Sequence, residues 1–182
     1  LETLSNVKNI DKTYVFCSDE KFNNNLPDNV EFLKRDKILD NDDTLGKDIY
    51  DAFTSIIDAD VYVLAHTTAP FLKSTSIEIS VDKVLNGNYD SSLSVYQNKT
   101  FAWYKNKPIN YSTNLVPKTQ DLEPIYTETS GFYVFTKELW ISEKKRVGKN
   151  PYKFLVNNIE AIDIDDENDF NLAEIIAKNS DV

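Results

Sequence analysis

"VYVLAHTTAPFLK", residues 61–73, sets an unbroken apolar run against a polar, proline-containing loop. Val61–Ala65 is short, rich in β-branched side chains and cut off at once by His66, Thr67 and Thr68, which predicts a buried strand. Residues 75–86 then have helical spacing. Ser74 or Thr75 would cap that helix, and Asn86-Gly87 would close it. The same alternation recurs along the chain. "TYVF" (13–16), "VEFL" (30–33), "SLSVY" (92–96), "GFYVF" (131–135) and "AIDI" (161–164) are expected strands. Residues 43–57 present Ile49, Phe53, Ile56 and Ile57 on one helical face. A last helix over 167–177 presents Phe170, Leu172, Ala173, Ile175 and Ile176. Residues 1–8 have the pattern of a helix end. Strands alternating with helices predict an α/β fold with a mostly parallel, mixed sheet flanked by helices.

In such sheets, ligands sit beyond the carboxyl ends of the strands. That draws attention to "CSDE" (17–20), "AHTTAP" (65–70) and "DID" (163–165). Residues 97–127 break the alternation. They are polar, turn-rich and aromatic, with Trp103, Tyr104, Tyr111 and Tyr126, and have the character of an insertion carrying a hairpin at 101–111 that turns at Asn106–Pro108.

The 182 residues suit a single domain with a real core. The formal net charge of −10 argues against a nucleic-acid partner, since no basic surplus is available to neutralise phosphates. Any anionic ligand must be held by a few local cations, backbone amides or a metal. No apolar run approaches the roughly 18–20 residues of a membrane span, and no signal-peptide pattern opens the chain. Cys17 is the only cysteine, which excludes an intramolecular disulfide. These features favour a cytoplasmic protein. The chain starts at Leu1 and contains no Met, so residues are expected ahead of it.

Asp163 and Asp165 are the most informative acids. On a strand, residues i and i+2 share a face about 7 Å apart, so two carboxylates there could converge on one divalent cation such as Mg²⁺. Helix capping is the alternative. It accounts for Asp166, Glu167 and Asp169 at the start of the last helix, but not for Asp163. The loop after Ala65 offers His66, Thr67, Thr68 and Lys73 to a polar ligand, or simply hydroxyl caps for the next helix. Glu128 could accept from sugar hydroxyls or be an exposed loop acid. Arg35 could bind phosphate or a base, or lie on the surface. With only four glycines, neither a Walker A loop nor a G-x-G-x-x-G motif can be written. The lone histidine and the absence of a nucleophile elbow argue against a serine hydrolase.

In order along the chain, "IDKTYVFCSDE", "KRDKILDNDDT", "LAHTTAPFLK", "ETSGFYVF" and "IDIDDENDFNLAE" resemble the motifs of the CMP-sugar synthetases, the acylneuraminate cytidylyltransferase family. The resemblance spans nearly the whole chain. It implies a Rossmann-like nucleotidyltransferase fold in one domain, 1–182, with residues 97–127 as a dimerisation segment. It further implies that Asp163 and Asp165 hold Mg²⁺ and that Arg35 and Thr44 contact the nucleotide. His66, Thr68, Lys73 and Glu128 would lie on the side of the acceptor. The implied reaction moves CMP from CTP to an acidic, sialic-acid-like sugar and releases pyrophosphate, in surface polysaccharide or glycan biosynthesis, by a homodimer. The chain departs from the family pattern at His66, where the family has Gln, at Thr67, where it has Pro, and at Lys73, one residue beyond the family's Arg. The family's opening strand and phosphate loop have no counterpart in these residues, so the chain as written is expected to be inactive or nearly so. The alternatives are a non-catalytic domain of the same fold, acting in association or sensing, and an unrelated metal-binding α/β domain.

Overall fold

A computed structural model describes residues 1–179. The elements, in chain order, are α1 (Glu2–Ser5), β1 (Thr13–Cys17), β2 (Val30–Lys34), α2 (Gly46–Ile56), β3 (Val61–Ala65), α3 (Ser74–Asn86) and β4 (Ser91–Asn98). The short hairpin β5 (Trp103–Tyr104) and β6 (Lys107–Pro108) follows, then β7 (Ile125–Thr136), α4 (Lys137–Glu143), β8 (Pro151–Leu155) and α5 (Glu167–Asn179).

The main sheet has the order β3-β7-β4-β8. β7 is antiparallel to both β3 and β4, while β8 is parallel to β4. Three of its four strands therefore run the same way. β1 and β2 form a separate parallel pair. The protein is thus a mixed α/β fold with helices packed on its sheets. Among the described residues, no helix is long and apolar enough to cross a membrane.

β7 is the central strand because both of its faces are covered. Phe132, Tyr133, Val134 and Phe135 are all buried, so the run is continuously apolar rather than alternating. Phe132 and Val134 meet Ile77, Val81 and Val84 of α3 on one side. Phe135 meets Tyr62, Leu139 and Trp140 on the other. The β1–β2 pair joins this body through α2: the Phe53 ring stands edge-on to Tyr14 and Phe16 of β1 and to Tyr62 of β3, with centroids 5.5–6.4 Å apart.

Several sequence expectations shift. "AIDI" is not a strand: residues 161–164 follow a turn and carry no ladder. Their one backbone bond outward, Ile164 N–H to the Thr68 carbonyl at 2.8 Å, goes to the loop after β3, not to a strand. The helix expected over 43–57 begins at Gly46, after a turn closed by Thr44 N–H on Asn41. Neither Ser74 nor Thr75 caps α3. Lys73 occupies the cap position, and its N–H is taken by the buried carboxylate of Glu160 at 3.1 Å. The hairpin turns at Lys105–Asn106, with Lys105 in the left-handed region. β8 and α4 escape the sequence reading. β8 is an edge strand opening on Pro151, a position where a missing N–H costs nothing. α4, with seven residues, is too short to show a period.

Candidate active site

The site begins with an irregularity in β7. Tyr133 pairs with Leu93 and Glu128 with Val95, so the four residues Thr129–Phe132 of β7 are set against Ser94 alone of β4. The surplus residues, Thr129–Gly131, loop out around the buried Ser94. Its hydroxyl receives the Thr129 hydroxyl at 2.8 Å and the Phe132 N–H at 3.1 Å. Ser130 takes a left-handed backbone, φ 55. Gly131 is required by close approach, since a Cβ there would lie 2.8 Å from Leu72 Cδ2. Glu128 and Tyr133, which an uninterrupted strand would point to opposite faces, thereby reach the same face. The phenol donates to the Glu128 carboxylate at 2.8 Å. Burial, reinforced by Glu128, pushes the Tyr133 phenol up to about 12.

The Gly131 carbonyl also accepts the His66 N–H at 3.0 Å, extending the β3–β7 ladder by one bond. This sets the half-buried His66 ring 6.2 Å from Tyr133. Burial pushes the imidazole below its ordinary value. Arg146 lowers it further, and Asp163 opposes both. His66 is therefore neutral at pH 7 and lies within the fields of one cation and one carboxylate.

Asp163 reaches this place because Ile164 is bonded to Thr68. Its Oδ1 is sealed from solvent and has no hydrogen-bond partner. A carboxylate oxygen left this way is costly, and a cation is the partner that fits it. Asp165, two residues on, is exposed, and its N–H donates to Asp169 at 3.1 Å. Asp166 caps α5, accepting from the N–H groups of Asn168 and Asp169. Those two bonds, the Asp169 one foremost, hold the Asp166 carboxyl below its usual range. The acids thus divide as the sequence suggested, but the same-face argument from strand spacing no longer applies. Among the described residues, no three His, Cys, Asp or Glu side chains cluster to hold a metal. Two carboxylates with substrate phosphates and waters remain a sufficient set for Mg²⁺.

Arg146 is the residue that sequence reading missed. Its guanidinium lies over the Tyr133 ring, 3.8 Å from the centroid, and donates to the Tyr50 hydroxyl at 2.9 Å. The loop that carries it is tied down by Asp90, which accepts from Lys149 N–H at 2.8 Å and Asn150 N–H at 2.9 Å. The Ser91 hydroxyl accepts the Gly148 N–H at 2.9 Å. A Cβ at Gly148 would fall 2.4 Å from the Asp90 carboxylate. One signal was available: Arg35 and Arg146 are the only arginines among 20 basic residues. Beside Arg146 opens a cleft of about 300 Å³ lined by Gly46, Lys47, Tyr50, Trp140 and Lys144.

Among the described residues, the side chains of the remaining expected residues make no hydrogen bond or ion pair with this group. Arg35 donates to Asp40 at 2.7 Å, and Ser18 donates to the other Asp40 oxygen at 2.6 Å. Arg35 Nε is buried without a partner, so one edge of the guanidinium is unsatisfied. Thr44 is half-buried in the turn before α2. Thr68 is exposed beside Ile164, and Lys73 is exposed at the start of α3.

A strand reversed within an otherwise parallel sheet thus carries a site in which the loops after β3 and β8 bring together an imidazole and a carboxylate, and the loop before β8 adds a guanidinium. A family model described as Cytidylyltransferase matches residues 1–180, and the chain belongs to the cytidylyltransferase family. Its fold is similar to that of 4-diphosphocytidyl-2C-methyl-D-erythritol synthase from Anaerococcus prevotii DSM 20548. The TM-score is 0.67 at 12% identity, over 98% of this chain and 86% of that one. It is also similar to CMP:2-keto-3-deoxy-manno-octonic acid synthetase complexed with CTP, with a TM-score of 0.62 at 10% identity and the same coverage, 98% and 86%. No curated protein matches the sequence.

Proposed function

We propose that this protein transfers the cytidylyl group of CTP to an acidic sugar of the sialic-acid type and releases pyrophosphate, in the synthesis of a surface polysaccharide or glycan. The observation that carries this reading is the sealed, unpartnered Oδ1 of Asp163 beside His66. Family membership supports CTP as the donor, and the CTP-complexed octonic acid synthetase among the structural neighbours supports a sugar acid as the acceptor.

In the reaction, the acceptor's anomeric hydroxyl oxygen attacks the α-phosphorus of CTP. A new P–O bond forms, the α–β anhydride breaks, and its electron pair leaves with pyrophosphate. We assign the hydroxyl proton to His66, which burial keeps neutral. No covalent enzyme intermediate is needed, so positioning and charge neutralisation carry the catalysis. Asp163 and Asp165 would hold Mg²⁺, which when bound offsets triphosphate charge. Arg35, with its unsatisfied Nε edge, and Thr44 would contact the nucleotide. Thr68, Lys73 and Glu128 would line the acceptor side. The protein would act as a cytoplasmic homodimer. The exposure of Trp103 (55%), Tyr104 (66%) and Leu115 (79%) in the 97–127 segment supports an interface there.

The test is a thermal-shift panel of CTP, UTP, ATP and GTP with Mg²⁺, followed by pyrophosphate release with CTP and a sugar acid. Selective stabilisation by CTP is expected. Equal response to all four nucleotides would discard the reading.

A further inference from the structure

Among the described residues, Arg146 is a cation without a counter-charge. Of the two other cations that line the cleft, Lys144 is ion-paired to Asp51 at 2.5 Å and Lys47 is exposed, whereas Arg146 is half-buried. Among the described residues, Arg146 has no carboxylate within ion-pair distance. Its only hydrogen bond is to a neutral phenol, that of Tyr50. The side chain is also fixed, not loose: Tyr133 covers one face of the guanidinium plane, and Asp90 and Ser91 pin the loop backbone two to four residues away. Ordering a long side chain costs rotamer entropy, and half-burying its charge costs hydration. In a chain with 30 acidic residues, the lack of an internal partner leaves the charge for something that arrives from outside.

We propose that Arg146 receives the carboxylate of the acceptor, and so sets the specificity of the enzyme for acidic sugars. This rests on the cytidylyltransferase reading above. With one face stacked and one nitrogen engaged, the guanidinium presents an in-plane edge, the geometry that takes a planar carboxylate in a two-bond fork. The neighbouring cleft of about 300 Å³, walled by Tyr50 and Trp140, provides apolar and hydroxyl surface of the kind a sugar ring packs against.

The experiment measures binding and turnover on the full-length protein with wild type, Arg146→Gln and Arg146→Lys. The probes are CTP, N-acetylneuraminic acid, 2-keto-3-deoxy-manno-octonic acid, the methyl esters of both acids, and a sugar phosphate. Wild type should bind at least one free acid at least 10-fold more tightly than its ester. Arg146→Gln should raise the KM for that acid about 30-fold or more and abolish the acid-over-ester preference, with the KM for CTP changed less than 3-fold. Arg146→Lys should recover part of the loss. Lys145→Gln, next in sequence but paired to Glu143, should change neither KM by more than 2-fold. Retained acid preference in Arg146→Gln, with CTP binding intact as proof of folding, would overturn the proposal and spare the cytidylyltransferase reading. So would wild-type preference for the sugar phosphate over both acids. A wild type that does not bind CTP would overturn both.

Discussion

Glu128 and Tyr133 are five residues apart on one strand, yet their side chains meet at 2.8 Å because β7 spends three extra residues against β4. Burial first, and that contact second, push the phenol up to about 12. In an ultraviolet titration, Tyr133→Phe should remove the last tyrosinate to form and leave the earlier ones in place. The ring over which Arg146 lies is retained, so stability should fall by only about 1 kcal/mol, the net worth of one such hydrogen bond. An unchanged late ionisation in the variant would refute the assignment.

Asp90 anchors the Arg146 loop. Desolvation works against its charge, but the backbone N–H of Asn150 leads the hydrogen bonds that hold the carboxyl below its usual range. A carboxyl held low favours the folded state above its ordinary range, and that benefit disappears as pH falls through the folded value. Asp90→Asn should therefore lower the Tm at pH 7 by a few degrees. The gap from wild type should shrink as the solution is acidified below about pH 4. A gap independent of pH would show that the charge is not what matters.

Asp163 and Asp165 should not be equivalent. Asp163→Asn removes the charge from a sealed oxygen, and its loss should reduce Mg²⁺-dependent turnover by about 100-fold or more, the scale at which positioned charges act. Asp165→Asn, at an exposed position, should cost less. The double variant should be inactive yet retain its far-ultraviolet circular dichroism. Normal Mg²⁺ dependence in the double variant would remove both from the metal site.

The aromatic segment gives a prediction about assembly. Trp103 donates to the Tyr111 hydroxyl at 2.9 Å, and Phe101 packs edge-on to Tyr111 at 4.8 Å, so the exposed rings are held by one another and not by the core. Trp103→Ala with Tyr104→Ala should shift a homodimer towards monomer in light scattering and leave the main sheet intact. A monomeric wild type at micromolar concentration would end the idea.

Gly131→Ala tests the packing of β7 against the loop that leads into α3. The new Cβ meets Leu72 at 2.8 Å, and overpacking of this kind costs about 1–3 kcal/mol. Chemical denaturation should show the loss, and Leu72→Ala in the same chain should recover part of it.

The fold was legible where chemistry is local. Val61–Ala65 and Gly131–Phe135 are apolar runs long enough to name as strands; α5 forms where it was expected, but of its expected apolar face only Ala173 is buried, and Phe170, Leu172 and Ile175 are exposed. Residues 161–164 misled because alternating isoleucine and aspartate imitate a strand. Whether such a stretch pairs depends on a neighbour the sequence does not show, and here the neighbour is a loop carbonyl on Thr68. His66 was legible as a polar residue at a strand end, and Asp163 only as an acid that helix capping does not explain, since the stretch that carries it is a loop. Arg146 was not, because its position is set by Asp90 and Tyr133, fifty-six and thirteen residues away by sequence number. The Glu128–Tyr133 contact was hidden for the same reason: the looped-out residues are fixed by Ser94, on another strand.

Phe53 has a mechanical consequence. Among the described residues, the β1–β2 pair and the main sheet share no hydrogen-bonded ladder; edge-on contacts of the Phe53 ring link them. A ladder can slip only by whole residues, whereas rings in contact can roll through small angles at nearly constant energy. A change in how these rings meet would therefore shift the Arg35–Asp40 end of one sheet relative to the His66 end of the other without breaking a ladder bond in either.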